Sequence, residues 1–309
     1  MRRVDVVLFP GQGTQKKIPE LAEAITNHPA AQEAIVEADE IIERLIGKKI
    51  VAKALEGSAD FADAREIQAS IFSVQMAIFR ILELKKYAPR LVIGHSLGEY
   101  AAMAAAKVVT LEEGLHLVLE RAKGMIAANN ETPGGGTMAA INGMDERSVL
   151  KMADEEGVEI ANFNSAQQFV LSGIKSHVAR ASHKVNDLRE RGVSATVLEI
   201  PYAAHSRWMA GAAETLRDRL SDINFQKPKI PMLSNRVEHL KLPEHFKQHL
   251  PDQLVRGVNW HPQMQEVVFK LGCRVLAETG PGKVLSRLAK KSFGEKVEII
   301  SAEELPKTS

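Results

Sequence analysis

The sequence predicts an α/β fold in which a large doubly wound domain carries a smaller inserted subdomain. Short apolar runs that end in turns alternate with helical patterns early in the chain, and the alternation resumes near its end, as in a doubly wound sheet. Between these parts, the predicted order β-α-β-β-α-β is typical of a ferredoxin-like unit. Residues 133–136, Pro-Gly-Gly-Gly, are the strongest loop signal in the chain. We therefore predict a large domain over 1–131 and 201–309 and a subdomain over 132–200.

The elements of the large domain follow from apolar runs and helical spacing. Val4 to Phe9 is a short apolar run followed directly by Pro10 and Gly11, as at the end of a buried strand. The other predictions are strands at 91–93, 232–234 and 274–278 and helices at 18–35, 68–84, 99–107, 111–128, 208–220 and 261–271.

The inserted subdomain is bounded by turn residues. Asp145 stands where a helix would be capped, Gly192 stops a helical pattern, and Pro201 closes the segment. The predicted elements are strands at 137–141, 158–162, 169–172 and 193–200 and helices at 145–156 and 176–191.

Composition narrows the class of protein. The 309 residues are 45% apolar and 26% charged with a net charge of +1, so no global field attracts nucleic acid or an anionic membrane. Cys273 is the single cysteine, which rules out a disulfide within the chain and argues against a Cys-based zinc site. The N-terminal apolar run is too short for a signal peptide, and no run nears the roughly 18 apolar residues of a membrane span. We expect a cytoplasmic protein with no nucleic-acid or membrane partner.

The motif that points to chemistry is G-x-S-x-G at Gly94–Gly98, with a predicted strand before it and a helix after it. A sharp strand-to-helix turn needs glycines on both sides of the nucleophile, and it lifts the serine hydroxyl towards the positive end of the helix. This is the nucleophile elbow of α/β hydrolases, so the large domain is predicted to be α/β-hydrolase-like. Ser96 is the candidate nucleophile, although the motif also occurs by chance in unrelated chains.

A serine needs a base to take its proton, and the chain has ten histidines. His205 follows a predicted strand and Pro201 in a loop of small residues, where functional groups gather in α/β folds. On this evidence alone, His205 is as often an ordinary loop histidine as a catalytic base. His95 is next to Ser96 on a tight turn, so the two side chains are expected to point apart. The others have the setting of solvated surface histidines: His28, His116, His177, His183, His239, His245, His249 and His261.

Taken together, the motifs resemble the malonyl-CoA:acyl-carrier-protein transacylases of fatty acid and polyketide synthesis. The resemblance covers nearly the whole chain in the expected order, which makes it far more specific than one motif. The stretches that carry it are Phe9–Gln15, Gln68–Phe72, Gly94–Tyr100, Arg121 with Met125, Asn164 with Gln168, Val170–Gly173, His205 with Met209, Ser234–Asn235 and Glu278–Leu285.

The resemblance implies roles for individual residues. Ser96 would carry the acyl group as an ester, and His205 would act as base and then as acid. In this family a backbone carbonyl orients the histidine, and the matching position is Asn259. The N–H groups of Gln12 and Leu97 would form the oxyanion hole. The resemblance implies no metal and no bound cofactor, and it implies a coenzyme A thioester as the substrate.

Arg121 would hold the free carboxylate of a malonyl group. A planar guanidinium binds a carboxylate through two parallel hydrogen bonds. Without the resemblance, a helix-surface arginine paired with Glu120 is the better interpretation. Asn164, Gln168 and Tyr202 are predicted to line the substrate pocket.

Three alternatives remain open from the sequence. Tyr202–His205 (Y-A-A-H) resembles the form of this motif associated with methylmalonyl, whereas Leu97 matches the malonyl form, so an α-substituted malonyl unit is one alternative. A thioester hydrolase on the same scaffold is another, although a buried cation at Arg121 would not suit neutral acyl chains. The third is a non-catalytic module that binds a carrier protein.

The partners implied by the resemblance are malonyl-CoA and an acidic acyl carrier protein, and the free-standing members suggest a monomer. A basic docking surface is therefore expected, and the alternative is a solvated helix face. The candidates are Lys283, Arg287, Lys290 and Lys291.

Overall fold

The computed structural model describes residues 4–61, 63–302 and 304. The chain divides into two compact units, each assembled from segments that are distant in sequence. Unit 1 comprises Met1–Ala122, Asp222–Phe246 and Gln265–Ser309, and unit 2 comprises Lys123–Ser221 and Lys247–Met264.

These units and the predicted domains do not share boundaries. Unit 2 includes the predicted subdomain 132–200 but also extends to residue 221 and takes up 247–264. The border at Ala122 falls within a long helix, where no loop signal marks it. The division into domains at 131/132 and 200/201 stays a prediction.

The described residues form ten strands. In chain order they are β1 (Val6–Phe9), β2 (Leu91–Gly94), β3 (Gly136–Asn142), β4 (Glu159–Ser165), β5 (Gln168–Ile174), β6 (Ser194–Val197), β7 (Met232–Leu233), β8 (His239–Leu240), β9 (Val275–Glu278) and β10 (Glu298–Ile300).

The same residues form twelve α-helices, with short 3-10 segments between some of them and a π-helical turn, Glu266–Lys270. They are α1 (Ala22–Thr26), α2 (Pro29–Ile46), α3 (Val51–Leu55), α4 (Ala64–Leu84), α5 (Gly98–Ala105), α6 (Leu111–Glu131), α7 (Glu146–Glu156), α8 (Lys175–Asp187), α9 (Ala210–Arg219), α10 (Pro243–Val255), α11 (Trp260–Gln265) and α12 (Val284–Phe293).

Unit 1 is built on a six-stranded sheet in the order β10-β9-β1-β2-β7-β8. All neighbouring strands are parallel except β7 and β8, which form a short hairpin. Every residue of β1 is fully buried, as expected for a central parallel strand covered on both faces. The sheet confirms the predicted α/β class and the strands β1, β2, β7 and β9. The edge strands β8 and β10, of two and three residues, were not predicted.

The helix α4 forms much of the core of unit 1. It is the one helix in the described residues that is long and apolar enough to span a membrane, and 78% of the apolar window is buried inside the protein. Asp63 caps its first turn by accepting the N–H of Arg65 at 2.8 Å. Because this cap precedes the apolar pattern, the helix begins four residues before the predicted start at Gln68. We interpret α4 as a core helix.

Unit 2 contains a four-stranded antiparallel sheet in the order β4-β5-β3-β6. With α7 and α8, this strand order is that of a ferredoxin-like fold, so the predicted subdomain architecture is confirmed. Its core includes Ile141, Phe169, Leu171 and Val178. The helix α8 ends at Asp187 and β6 ends at Val197, so both are shorter than predicted.

Candidate active site

The serine motif forms a strained turn between β2 and α5. Ser96 has a φ of +53°, in the left-handed region that non-glycine residues rarely adopt. A Cβ on Gly94 would overlap the backbone of Gly98 and Glu99, and a Cβ on Gly98 would overlap the carbonyl of Phe9. The two flanking glycines are therefore required by close backbone packing, as the sequence predicted.

Asn235 ties the two sides of this turn together. Its Oδ1 accepts the N–H of Ser96 at 2.9 Å, and its Nδ2 donates to the carbonyl of Gly94 at 2.8 Å. The N–H of Asn235 in turn donates to Oε1 of Glu99, in the first turn of α5, at 2.6 Å. Asn235 and Glu99 are each only 2% exposed. Asn235 belongs to the stretches that carry the family resemblance, but no role was predicted for it.

The loop after β1 lies beside the same turn. Phe9 pairs with Gly94 in the parallel ladder, so the segments that follow both strands meet at one edge of the sheet. A Cβ on Gly11 would lie 2.9 Å from the carbonyl oxygen of His95, which shows how closely the loop approaches. The next residue, Gln12, accepts a hydrogen bond through Oε1 from Nε2 of Gln68 at 3.3 Å.

Leu97 is the N-cap residue of α5 and is buried. The N–H groups of Gly98 and Glu99 donate to the carbonyls of His95 and Ser96, whereas the N–H of Leu97 has no acceptor in the described part of the chain. An unpaired N–H at the positive end of a helix is suited to an anion.

Arg121, on α6, is a buried cation. Its side chain donates from Nη1 to Oε1 of Gln68 at 2.7 Å and from Nη2 to Oγ of Ser96 at 3.0 Å. The residue is 2% exposed, and Nε has no hydrogen-bond partner. No carboxylate pairs with this guanidinium among the described residues, so the alternative of a surface arginine paired with Glu120 does not hold. A buried charge without a counter-ion is costly unless a ligand supplies one.

Tyr100 borders the same guanidinium. The Cζ atom of Arg121 lies 5.6 Å from the centre of the Tyr100 ring, within cation–π range. Burial raises the pKa of Tyr100 well above its usual range, and the charge of Arg121 only partly offsets this. The phenol therefore stays neutral and cannot serve as the missing counter-ion.

His205 belongs to unit 2 and is also held in a left-handed backbone, with φ at +59°. Its Nδ1 lies 2.7 Å from the carbonyl oxygen of Gln253. Because a carbonyl only accepts, Nδ1 carries the proton and Nε2 keeps a lone pair. This is the tautomer that a general base requires.

The carbonyl that orients His205 belongs to Gln253 and not to Asn259, so the prediction of Asn259 was wrong. The carbonyl of Asn259 accepts the N–H of Gln263 at 2.9 Å instead. Gln253 lies in the last turn of α10, where backbone carbonyls lack partners within the helix. The helix α10 was not predicted from the sequence, so neither was its free carbonyl end.

The remaining predicted residues are spread over both units. In unit 2, Tyr202 is buried, Asn164 is in β4, and Gln168 donates to Oδ1 of Asn142 across β5 and β3 at 2.8 Å. Thus unit 1 brings together Ser96, Leu97, Gln12 and Arg121, with Gln68 as a link that sequence analysis quoted without assigning a role.

The four predicted docking residues lie on or next to α12 in unit 1. Arg287 and Lys291 are exposed and form no ion pair with the described residues. The other two form the pairs Lys283–Glu304 (3.7 Å) and Lys290–Glu295 (3.1 Å). In the part of the chain that the structure describes, no group of three or more His, Cys, Asp or Glu residues could hold a metal ion.

Comparison with known proteins settles the family. The model of the acyl transferase domain matches residues 6–309. The chain belongs to the acyl transferase domain family. This acyltransferase is 32% identical over 295 residues to the malonyl CoA-acyl carrier protein transacylase of Bacillus subtilis, covering 92% of this chain and 89% of that protein.

Solved structures show that the likeness extends to the fold. The crystal structure of FabD from Acinetobacter baumannii superposes with a TM-score of 0.87 at 29% identity, covering 98% of this acyltransferase and 95% of that chain. A malonyl-transacylase solved in complex with its type II PKS acyl-carrier protein gives a TM-score of 0.86 at 30% identity, with coverage of 96% and 94%. These likenesses confirm the family resemblance, and the large α/β fold with a small subdomain.

Proposed function

We propose that this acyltransferase moves a malonyl group from malonyl-CoA to the phosphopantetheine thiol of an acyl carrier protein through an ester on Ser96. The observation that carries the proposal is Arg121, a buried cation with no carboxylate partner in the described residues, 3.0 Å from the Ser96 hydroxyl. An acyl group that ends in a carboxylate supplies the missing charge. The printed names of the relatives, malonyl transacylases and one in complex with an acyl-carrier protein, support the same reaction.

In the first half-reaction, Nε2 of His205 takes the proton of Ser96 while Oγ attacks the thioester carbon. The negative charge that develops on the carbonyl oxygen is received by the N–H groups of Leu97 and Gln12. When the C–S bond breaks, the proton passes from His205 to the coenzyme A thiolate, which leaves as the thiol. Gln253 stabilises the imidazolium through Nδ1.

In the second half-reaction, the carrier thiol gives its proton to His205 and attacks the ester carbon. The C–O bond breaks, and Ser96 regains its proton. The guanidinium of Arg121 keeps the acyl group fixed at its carboxylate, which limits the approaches open to water. Asn164, Gln168 and Tyr202 are the further pocket residues in this proposal.

We also propose where the enzyme works, its oligomeric state and how it receives its carrier. The acyltransferase works in the cytoplasm as a monomer without a bound cofactor, and it receives an acidic carrier at the basic α12. Arg287 and Lys291, which are exposed and form no ion pair with the described residues, support a role for this helix in docking. We propose malonyl as the unit transferred, because Leu97 matches the malonyl form of the serine motif.

Intact-mass measurement after incubation with malonyl-CoA tests the reaction. We expect the wild-type protein to gain the mass of one malonyl group, to lose it when holo carrier protein is added, and to give malonylated carrier. Ser96→Ala should gain nothing. An acyl-enzyme that turns over to free malonate as fast with the carrier as without it would favour the hydrolase. No adduct from malonyl-, methylmalonyl- or acetyl-CoA would favour the binding module.

A further inference from the structure

The turn that holds Ser96 is fastened from outside its own strand and helix. Asn235 follows β7, which is parallel to β2 in the register Ile93 with Leu233. Parallel strands end at the same edge of a sheet, so the residue after β7 reaches the turn after β2. The side chain of Asn235 joins the residues on either side of His95.

The amide of Asn235 uses both of its ends. It accepts from the N–H of Ser96 and donates to the carbonyl of Gly94, which clamps the backbone around a residue whose φ is unfavourable. The N–H of Asn235 is itself fixed by the buried carboxylate of Glu99. The strained conformation of Ser96 is therefore held by hydrogen bonds from the buried side chain of Asn235, which Glu99 fixes in turn.

These contacts also decide which backbone groups can stabilise an anion. The N–H of Ser96 is occupied by Asn235, whereas the N–H of Leu97 has no acceptor in the described residues. We infer that Asn235 is a positioning residue for acyl transfer, because it fixes Oγ of Ser96 and leaves Leu97 as the donor that faces the oxyanion. This inference deepens the proposed function and rests on Ser96 as its nucleophile.

A fluorophosphonate probe tests the inference without malonyl-CoA, because its reaction reports the nucleophilicity of Ser96. The probe phosphorus bonds to Oγ, fluoride leaves, and the serine proton goes to the base. For Asn235→Ala we expect the saturating labelling rate to fall about 10- to 100-fold, with the concentration for half-saturation little changed, since misplacement of a reacting group by about 1 Å costs this much. Peptide mass spectrometry should place the label on Ser96.

Asn186→Ala is the matched control. Asn186 makes the same pair of backbone contacts, to the carbonyl and N–H of Ala195 at 3.1 and 2.8 Å, but in unit 2 between α8 and β6. It should lower the melting temperature and leave the labelling rate at the wild-type value. Asn235→Asp is the second variant, in case the alanine variant does not fold. It keeps the oxygen that accepts from Ser96 but turns an oxygen towards the carbonyl of Gly94, so labelling should again slow.

The outcomes separate the inference from the proposed function. If Asn235→Ala lowers the melting temperature but the folded protein labels at the wild-type rate, Asn235 is only structural and the inference is overturned. An aspartate variant that labels as fast as the wild type would also overturn it. If wild-type Ser96 labels and Asn235→Ala slows this, while malonyl-CoA gives no adduct, the inference stands and the malonyl proposal fails. If wild-type Ser96 takes no label, both fail.

Discussion

Replacing Arg121 with alanine removes the proposed binding site of the substrate carboxylate. The guanidinium is 2% exposed, so its contact with a malonyl carboxylate would be almost fully desolvated. Truncation of one partner of such a buried charge pair costs about 2–5 kcal/mol. At 1.36 kcal/mol for each tenfold in rate, kcat/KM for malonyl-CoA should fall between about 30- and 5,000-fold.

The assay compares two thioesters that differ in the terminal carboxylate. Acyl-enzyme formation from malonyl-CoA and acetyl-CoA is followed by quenched-flow mass spectrometry in the wild type and in Arg121→Ala. We expect the malonyl rate to fall and the acetyl rate to stay within about threefold, because neutral acyl groups gain nothing from the cation. Arg44→Ala is the control, since Arg44 forms an exposed pair with Glu112 and should leave both rates unchanged.

Equal loss with both thioesters would refute this reasoning. Arg121 also donates to Oγ of Ser96, so a general loss would mean that it serves the nucleophile and not the substrate carboxylate. Unchanged rates with both thioesters would remove Arg121 from the site altogether.

Three further predictions concern the fold. Gly98→Ala should lower the free energy of unfolding by about 1–3 kcal/mol in urea titrations, because the added Cβ would overlap the carbonyl of Phe9. Gly211→Ala is the control. A Cβ on this helical glycine would lie 3.9 Å from the nearest neighbouring atom, so the variant should not be destabilised. Phe72→Ala should lower the free energy of unfolding by about 3–5 kcal/mol in the same titrations, since removal of the fully buried ring leaves a cavity. Burial raises the pKa of Glu278, although hydrogen bonds from residues at the start of α12 oppose this. The folded state therefore holds that proton more tightly than the unfolded state, and the free energy of unfolding should fall as the pH rises above the usual glutamate range. Glu278→Gln should flatten this pH dependence in urea titrations. An unchanged slope in the variant would contradict the prediction.

The elements that could be predicted were those with long apolar patterns or clear stop signals. The helix α4 and the strand β1 are buried along most of their length, so their sequences show apolar runs directly. The helix α10 contains Pro251, a residue that usually ends a helical pattern, and carries mixed polar residues. The carbonyl of Gln253 could not be identified as the partner of His205, because every residue has a carbonyl and only those at the end of a helix lack a partner within it.

Roles were predicted for Ser96 and Arg121, for Arg121 only through the family resemblance, whereas none was predicted for Gln68 and Asn235. Ser96 and Arg121 have side chains whose chemistry suggests a function in the right motif. Gln68 and Asn235 act by connecting groups that lie far apart in the sequence, at separations of 53 and 139 residues. Such a role depends on three-dimensional proximity, for which an isolated amide gives no local signal.

The buried guanidinium of Arg121 has a consequence for the binding of small anions. A cation kept from water without an anion holds the unliganded state at a raised free energy, and small dicarboxylates or inorganic anions in the medium can lower it. Free malonate should therefore bind to the protein and compete with the thioester. The enzyme thus selects between acyl chains at the binding step, before any covalent bond forms, because a negatively charged acyl group neutralises the buried guanidinium and a neutral one does not.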